Sequence, residues 1–415
     1  MVTYEALKNR PRIVVNDNTN YLSLDGVGAE IPVFIVGSNH EVENISIESY
    51  TNSQSVIKSL GPDSPDVKII TDFFEEAKVN ATGQLGVEKV YVIDIGNKNV
   101  TADTFVQALE VSERAKDATM IVLNKPLTVT VNTTLDSSTN KETTTITDGD
   151  NMSLVAQVSA HIKKLRSKGQ PRIGYFPAGS IETTEDYDDK ILTHLTHENT
   201  YIDDNIVFIE NRFYGKVLAK IATTPYFVEP GRDAFRSLNE YSYVNDSSEG
   251  TIVRQLTFPK RSDEESTALM KSGVLFCESD PYRVNDNGEP LQVICIGVST
   301  GFARSDEEKT TACLLHALRN NNHQIREVMK ILGTQLKENE TIDAITKFKL
   351  AVDTYLESEV KADHIQPEYT CNIYESDEDP YNLVINLGIA GINATYLIEY
   401  NNEILKPQII ITEGE

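Results

Sequence analysis

From about residue 30 to 225 the chain alternates short apolar runs with amphipathic ones. Ile31-Pro32-Val33-Phe34-Ile35-Val36 reads as a buried strand ended by Gly37. Lys89–Ile95, Ala118–Leu123, Ile173–Phe176 and Asn205–Ile209 read the same way. Between them, helical patterns cover Thr71–Val79, Thr101–Lys116 (Phe105, Leu109 and Val111 inward), Ser153–Ser167 and the vicinity of Asp186–His197. Short apolar strands alternating with helices predict a mainly parallel sheet covered by helices. One insertion breaks the rhythm. Leu127-Thr128-Val129-Thr130-Val131 alternates with period two, a polar turn follows near Asp136–Asn140, and Thr143–Ile146 returns. This is the pattern of an exposed β-hairpin, closed by the loop Asp148–Asn151.

From about residue 290 the texture changes. A strand at Leu291–Ile296 leads to a long helix over roughly Asp306–Gln335, whose acidic start suits its dipole. A second helix near Ile342–Val360 has the apolar stripe Ile345, Phe348, Val352, Tyr355 and Leu356. Three strand-like runs follow, at Tyr369–Tyr374, Asn382–Leu387 and Ala394–Tyr400. This part reads as α+β, with two helices against an antiparallel sheet.

Both ends carry apolar runs with no sequence neighbour to pair with: Ile13-Val14-Val15 after Pro11, and Ile409-Ile410-Ile411 after Pro407. An unpaired β-branched strand is an aggregation hazard unless something covers it. Either each end adds a strand to another subunit's sheet, or each tucks into its own domain.

A length of 415 residues predicts two or three domains. With 40% hydrophobic and 24% charged residues, the chain is globular rather than disordered. Neither a membrane-spanning run nor a signal-peptide h-region is expected. The net charge of −25 repels phosphates and excludes general nucleic-acid binding. Cys277, Cys295, Cys313 and Cys371 form no CxxC pair, so neither a zinc site nor a disulfide framework is signalled.

Candidate chemistry is sparse. Gly297-Val298-Ser299-Thr300-Gly301 fits the G-x-S-x-G turn of α/β-hydrolases, with Ser299 as nucleophile. Phe302–Ser305 intervene before the next helical pattern, and none of His316, His323 and His364 stands out as the base. His194 and His197 share a helical face that could hold a metal, but no third ligand is evident. Asp286-Asn287-Gly288 suits a hairpin turn better than a calcium loop. No nucleotide-binding motif is present, and no cofactor is expected. Arg319, His323, Arg326 and Lys330 are spaced 4, 3 and 4, a stripe on the first long helix beside Leu314, Leu318, Ile325, Met329 and Leu332. In so acidic a chain this row is either a solvated face or a dock for an acidic partner.

From Asn205 onward the order of elements resembles the contractile tail sheath proteins of phages, R-type pyocins and related injection systems. The resemblance is carried by Val217–Ala222 followed by Glu229-Pro230-Gly231-Arg232 and Phe235–Leu238, by Ala268–Val274, and by Ile296–Thr300 before two long helices and a terminal antiparallel sheet. Ile31–Gly37 resembles the family's first strand after its N-terminal arm. The resemblance implies an α/β outer domain with an inserted hairpin (23–295) and a tube-facing α+β inner domain (296–400). It further implies arms at 1–22 and 401–415 that complete the antiparallel sheets of neighbouring subunits. The arm contacts would be Ile13, Val14, Val15, Tyr396, Leu397, Ile398, Ile409, Ile410 and Ile411, and the tube contact Arg319, His323, Arg326 and Lys330. The implied partners are further copies in stacked hexameric rings, a tail tube protein, and baseplate and terminator proteins. The implied location is a virion tail or injection particle assembled in a host cytoplasm. The implied function is a non-enzymatic sleeve that contracts and drives the tube through an envelope. Two alternatives stay open: a cytoplasmic serine hydrolase using Ser299, and a non-contractile tail or baseplate component with the same inner fold.

Overall fold

The computed structural model describes residues 29–64, 66–77, 86–97, 102–125, 129–136, 141–148, 152–178, 201–210, 213–235, 241–246, 250–255, 262–284, 290–333, 342–375 and 383–389. In chain order the elements are β1 (Pro32–Val36), β2 (Ile47–Tyr50), α1 (Ser53–Leu60), α2 (Val67–Glu76), β3 (Val90–Asp94), α3 (Ala102–Ser112), β4 (Met120–Leu123), β5 (Val129–Asp136), β6 (Lys141–Asp148), α4 (Met152–Ser167), β7 (Ile173–Pro177), β8 (Ile206–Ile209), α5 (Tyr214–Thr223), β9 (Tyr241–Asp246) and β10 (Gly250–Gln255). They continue with α6 (Asp263–Lys271), β11 (Val274–Leu275), β12 (Cys277–Val284), β13 (Pro290–Ile294), α7 (Leu315–Gly333), α8 (Ile342–Lys361), β14 (Thr370–Glu375) and β15 (Leu383–Gly388).

A seven-stranded sheet in the order β11-β8-β7-β4-β1-β3-β2 organises the first three-quarters of the chain. Its strands pair in parallel except at β2, which runs antiparallel to β3 along one edge. The central strands β1, β4, β7 and β8 are buried at every position. That is why their sequences are unbroken apolar runs: both faces are covered, so no position is left for water. Phe105, Leu109, Val155 and Ile162 of α3 and α4 close one face over Val33 and Ile35. Val56, Ile70, Phe73 and Leu218 of α1, α2 and α5 close the other over Phe34 and Val36. The alternation of Val33/Ile35 with Phe34/Val36 is the period-two geometry of a strand dividing its side chains between two cores.

Three further pairs are antiparallel: β5 with β6, β9 with β10, and β12 with β13. A third, smaller core joins Val328 and Leu332 of α7 to Phe348, Val352 and Leu356 of α8 and to Cys371 of β14. β14 pairs antiparallel with β15, from Thr370↔Gly388 to Glu375↔Leu383.

α7 belongs to two cores. Leu315 and Leu318 near its start pack under the sheet, while Val328 and Leu332 pack with α8. Cys295, Ile296 and Val298 also lie in a sheet core, so residues on both sides of 295/296 share one interior. The helix starts at Leu315, nine residues later than its acidic pattern implies. Residues between β13 and α7 instead form two 3-10 turns, Thr300–Ala303 and Thr311–Cys313. A bridge between Val298 and Leu314 and a bond from Ser299 N to Cys313 O (2.9 Å) hold this segment as a loop. Leu314 is extended there, which forbids helix before Leu315.

Candidate functional site

The structure brings together segments that are far apart in sequence and that carried the family resemblance. Glu229 accepts from Gly297 N through Oε1 (2.7 Å), and its Oε2 lies 2.9 Å from His316 Nδ1. Phe235 N donates to Gln292 O at 2.8 Å. Gly231 lies so close to β13 that an added Cβ would stand 2.3 Å from Ile294 O. Gly273, after α6, has φ +70 and faces Thr300 Cα at 2.7 Å from the place of a Cβ. The Pro-containing loop, the end of α6 and the glycine turn are therefore one packed unit.

That unit is no nucleophile elbow. Ser299 is fully buried, and its hydroxyl donates to the Cys313 carbonyl at 3.3 Å. A 3-10 turn follows it rather than an α-helix whose amides could hold an oxyanion. His316 is engaged by Glu229. Nothing here supports the hydrolase alternative.

The basic row on α7 is divided by the fold. Arg319 is buried, lies 3.1 Å from Glu30 Oε2, and donates to the carbonyls of Thr224 and Pro225. Arg326 donates to Pro171 O (3.2 and 2.6 Å), Ala118 O and Lys116 O, which fastens α7 to the turns before β4 and β7. Burial pushes its guanidinium down to about 10. His323 stacks on Tyr226 with centroids 3.7 Å apart and planes at 11°. Of the four, only Lys330 holds its ammonium in solvent, beside Glu327 at 2.5 Å. The overlooked signal is the stripe Leu315, Arg319, Asn322, Arg326. Its 4-3-4 spacing places both arginines on the same face as the apolar Leu315. Asn322 joins this contact by accepting from Arg166 at 2.6 Å.

The neighbouring face of α7 meets α8 and the loop after α5 in a buried polar seam. Glu359 Oε2 receives Tyr226 Oη (2.9 Å) and Gln324 Nε2 (2.7 Å), and lies 3.1 Å from His364 Nδ1. Tyr355 donates to Gln324 Oε1 at 2.6 Å, and Asn320 Nδ2 to His364 O at 2.6 Å. Phe227 stacks on His364 at 3.9 Å. Burial drives the phenols of Tyr226 and Tyr355 well above the usual tyrosine range, so both act as donors.

Ile13, Val14, Val15, Tyr396, Leu397, Ile398, Ile409, Ile410 and Ile411 lie outside the described residues, as do His194, His197, the 286–288 run and the third strand-like run at 394–400.

No protein-family model matches the chain, and no curated protein matches it. Solved structures match over nearly its whole length, and the fold they share with this chain is that of tail sheath proteins. The helical sheath of the anti-feeding prophage in its contracted state is 10% identical, with a TM-score of 0.57 over 95% of this chain and 98% of that one. A chain of the same prophage's contracted baseplate is 14% identical, with a TM-score of 0.57 over 96% and 98%. A sheath tail protein from Listeria innocua is 8% identical, with a TM-score of 0.52 over 90% and 95%.

Proposed function

We propose that this chain is the structural subunit of a contractile tail sheath. Copies would stack as hexameric rings around a tail tube within a virion tail or injection particle. They would hold an extended, metastable lattice, and relaxation to a shorter, wider one would drive the tube through an envelope. The observation that carries this reading is the full-length likeness to sheath and baseplate chains in assembled particles. No fuel site is needed, because the drive is the free-energy difference between two packings of one fold.

Strand exchange through the terminal arms is the proposed link between copies. Among the described residues β14 and β15 pair only with each other, and a two-stranded sheet is marginal alone. The edges of this pair suit strands from a neighbour. About four ladder hydrogen bonds contribute roughly 0.5–1.5 kcal/mol each. Ordering five or six residues costs roughly 1–2 kcal/mol apiece. Burial of Ile409, Ile410 and Ile411, at about 1.5–3 kcal/mol each, tips the balance. Single arms are then weak and the lattice collectively strong. In the tube contact we keep Lys330 as a direct participant, while Arg319 and Arg326 act by fixing α7 in place.

Electron microscopy of the purified protein tests the reading. Hollow sheath-like tubes are expected, and deletion of residues 1–22 or 401–415 should abolish them while leaving a folded monomer. A wild-type chain that stays monomeric at high concentration overturns the assignment.

A further inference from the structure

We infer that the seam between the 224–228 loop, α7 and α8 is a proton-operated latch, closed when His323 is neutral and Glu359 ionised, and loosened when either takes up a proton. The inference concerns one chain alone and does not depend on the sheath reading.

The geometry puts titratable groups where the two halves of the molecule meet. Tyr226 is contributed by the sheet domain. One face of its ring stacks on His323 from α7, and its edge meets His364 beyond α8 at 5.6 Å and 77°. Its hydroxyl reaches Glu359 of α8. Three polar groups, on Tyr226, Gln324 and His364, converge on the single oxygen Oε2 of Glu359. A proton on Glu359 would weaken this convergence, because a carboxylic acid accepts less strongly than a carboxylate and must itself donate. The 224–228 loop, α7 and α8 thus each contribute to one network.

The electrostatics point the same way. Burial pushes His323 down to about 4, with Lys330 and His364 adding to the effect and Glu327 and Glu359 opposing it. A charged imidazole over the Tyr226 ring would gain cation–π attraction, but burial outweighs it. For Glu359, burial acts upward, yet the bonds from His364, Gln324 and Tyr226 prevail and hold the carboxyl below its usual range. The signs agree. With His323 depressed, the closed seam is fully favoured above the free-imidazole value of 6.5 and is weakened as pH falls towards 4. With Glu359 depressed, its contribution is complete above the free-carboxyl value and is lost as pH falls through the lowered one. His323 therefore acts first on acidification.

Hydrogen exchange of the full chain, read by mass spectrometry at pH 7.5 and 5.0 and corrected for intrinsic exchange, tests this. Opening of the seam should rise roughly 30-fold between the two pH values, from a closed value near 4 and an open value near 6.5. The rise should be confined to 224–228, 320–327 and 355–365, with β1, β4 and β7 still protected. His323→Phe keeps a stacking ring without a titrating group and should reduce the change below about threefold. His323→Asn, a non-titrating variant without the ring, should show the same pH independence if the Phe variant misfolds. Glu359→Gln should open the seam already at pH 7.5. No selective change in wild type, an unchanged acid response in both His323 variants, or simultaneous loss of protection in β1 and β7 overturns the latch.

Discussion

Arg319 and Glu30 form a buried ion pair, Nε to Oε2 3.1 Å, that ties the segment leading into β1 to the long helix α7. Glu30 N also donates to Ala222 O at 2.9 Å, so this segment is fixed from two sides. Removing one partner of a buried pair leaves an uncompensated charge, at a cost of about 3–5 kcal/mol. Arg319 would keep the Thr224 and Pro225 carbonyls. Glu30→Gln should therefore fall at the low end, about 3 kcal/mol, measured as a lower urea midpoint with an unchanged slope. Arg319→Lys should not restore wild-type stability, since an ammonium cannot reproduce the planar fork.

Arg326 and Lys330 should separate by assay. Arg326→Glu removes donors to the Pro171, Ala118 and Lys116 carbonyls and should destabilise the isolated chain by about 3 kcal/mol or more. Lys330→Glu should leave the melting temperature within a degree or two, because exposed pairs contribute about 0–1 kcal/mol. If Lys330 meets the tube, its reversal alone should weaken co-sedimentation of sheath with tube.

Gly273→Ala should be among the most damaging single-methyl additions. Its φ of +70 disfavours any L side chain, and Thr300 Cα stands 2.7 Å from the new atom. Strain of about 1–3 kcal/mol is expected from the backbone alone. Thermal melts should show a larger loss than for Gly333→Ala, where a Cβ meets nothing within 4 Å.

Ser299 should not label with a fluorophosphonate in the native chain. Its hydroxyl is buried and bonded to the Cys313 carbonyl. Ser299→Ala should cost about 1 kcal/mol through that lost bond. Labelling that disappears in this variant would instead restore the enzyme reading.

The four thiols should be silent towards a disulfide reagent at pH 8 until denaturant is added. All are buried, and burial pushes Cys313 up to about 11, which leaves little thiolate to react. A native thiol titrating within minutes would show an opening of the surrounding core.

The buried strands were legible because β1, β4, β7 and β8 have no solvent side, and an apolar run is their whole signature. The helix at Ser53–Leu60 was not. It is eight residues long with only Val56 and Leu60 buried, and its clearest mark is the Asn52 cap accepting from Ser55 N at 2.9 Å. The start of α7 was misplaced because Asp306-Glu307-Glu308 imitates a helix N-terminus, whereas the Val298–Leu314 bridge decides where helix can begin. The division of the basic row could not be read from spacing. Arg326 finds its carbonyls 155 and 208 residues away in sequence, at Pro171 and Ala118. Only tertiary contact distinguishes an internal fastening from a docking face. The polar seam was invisible for the same reason, since Tyr226, Gln324 and Glu359 share no local pattern.

The long helix α7 is one rigid rod whose two ends answer to different interiors. Its 19 residues span about 28 Å. A tilt of roughly 10° about Arg319 would sweep the far end through about 4 Å, because about 21 Å of helix lies beyond it. A small readjustment beneath the sheet would in this way be magnified at the two-helix end, and a stiff lever of this kind would let the molecule change posture without either interior melting.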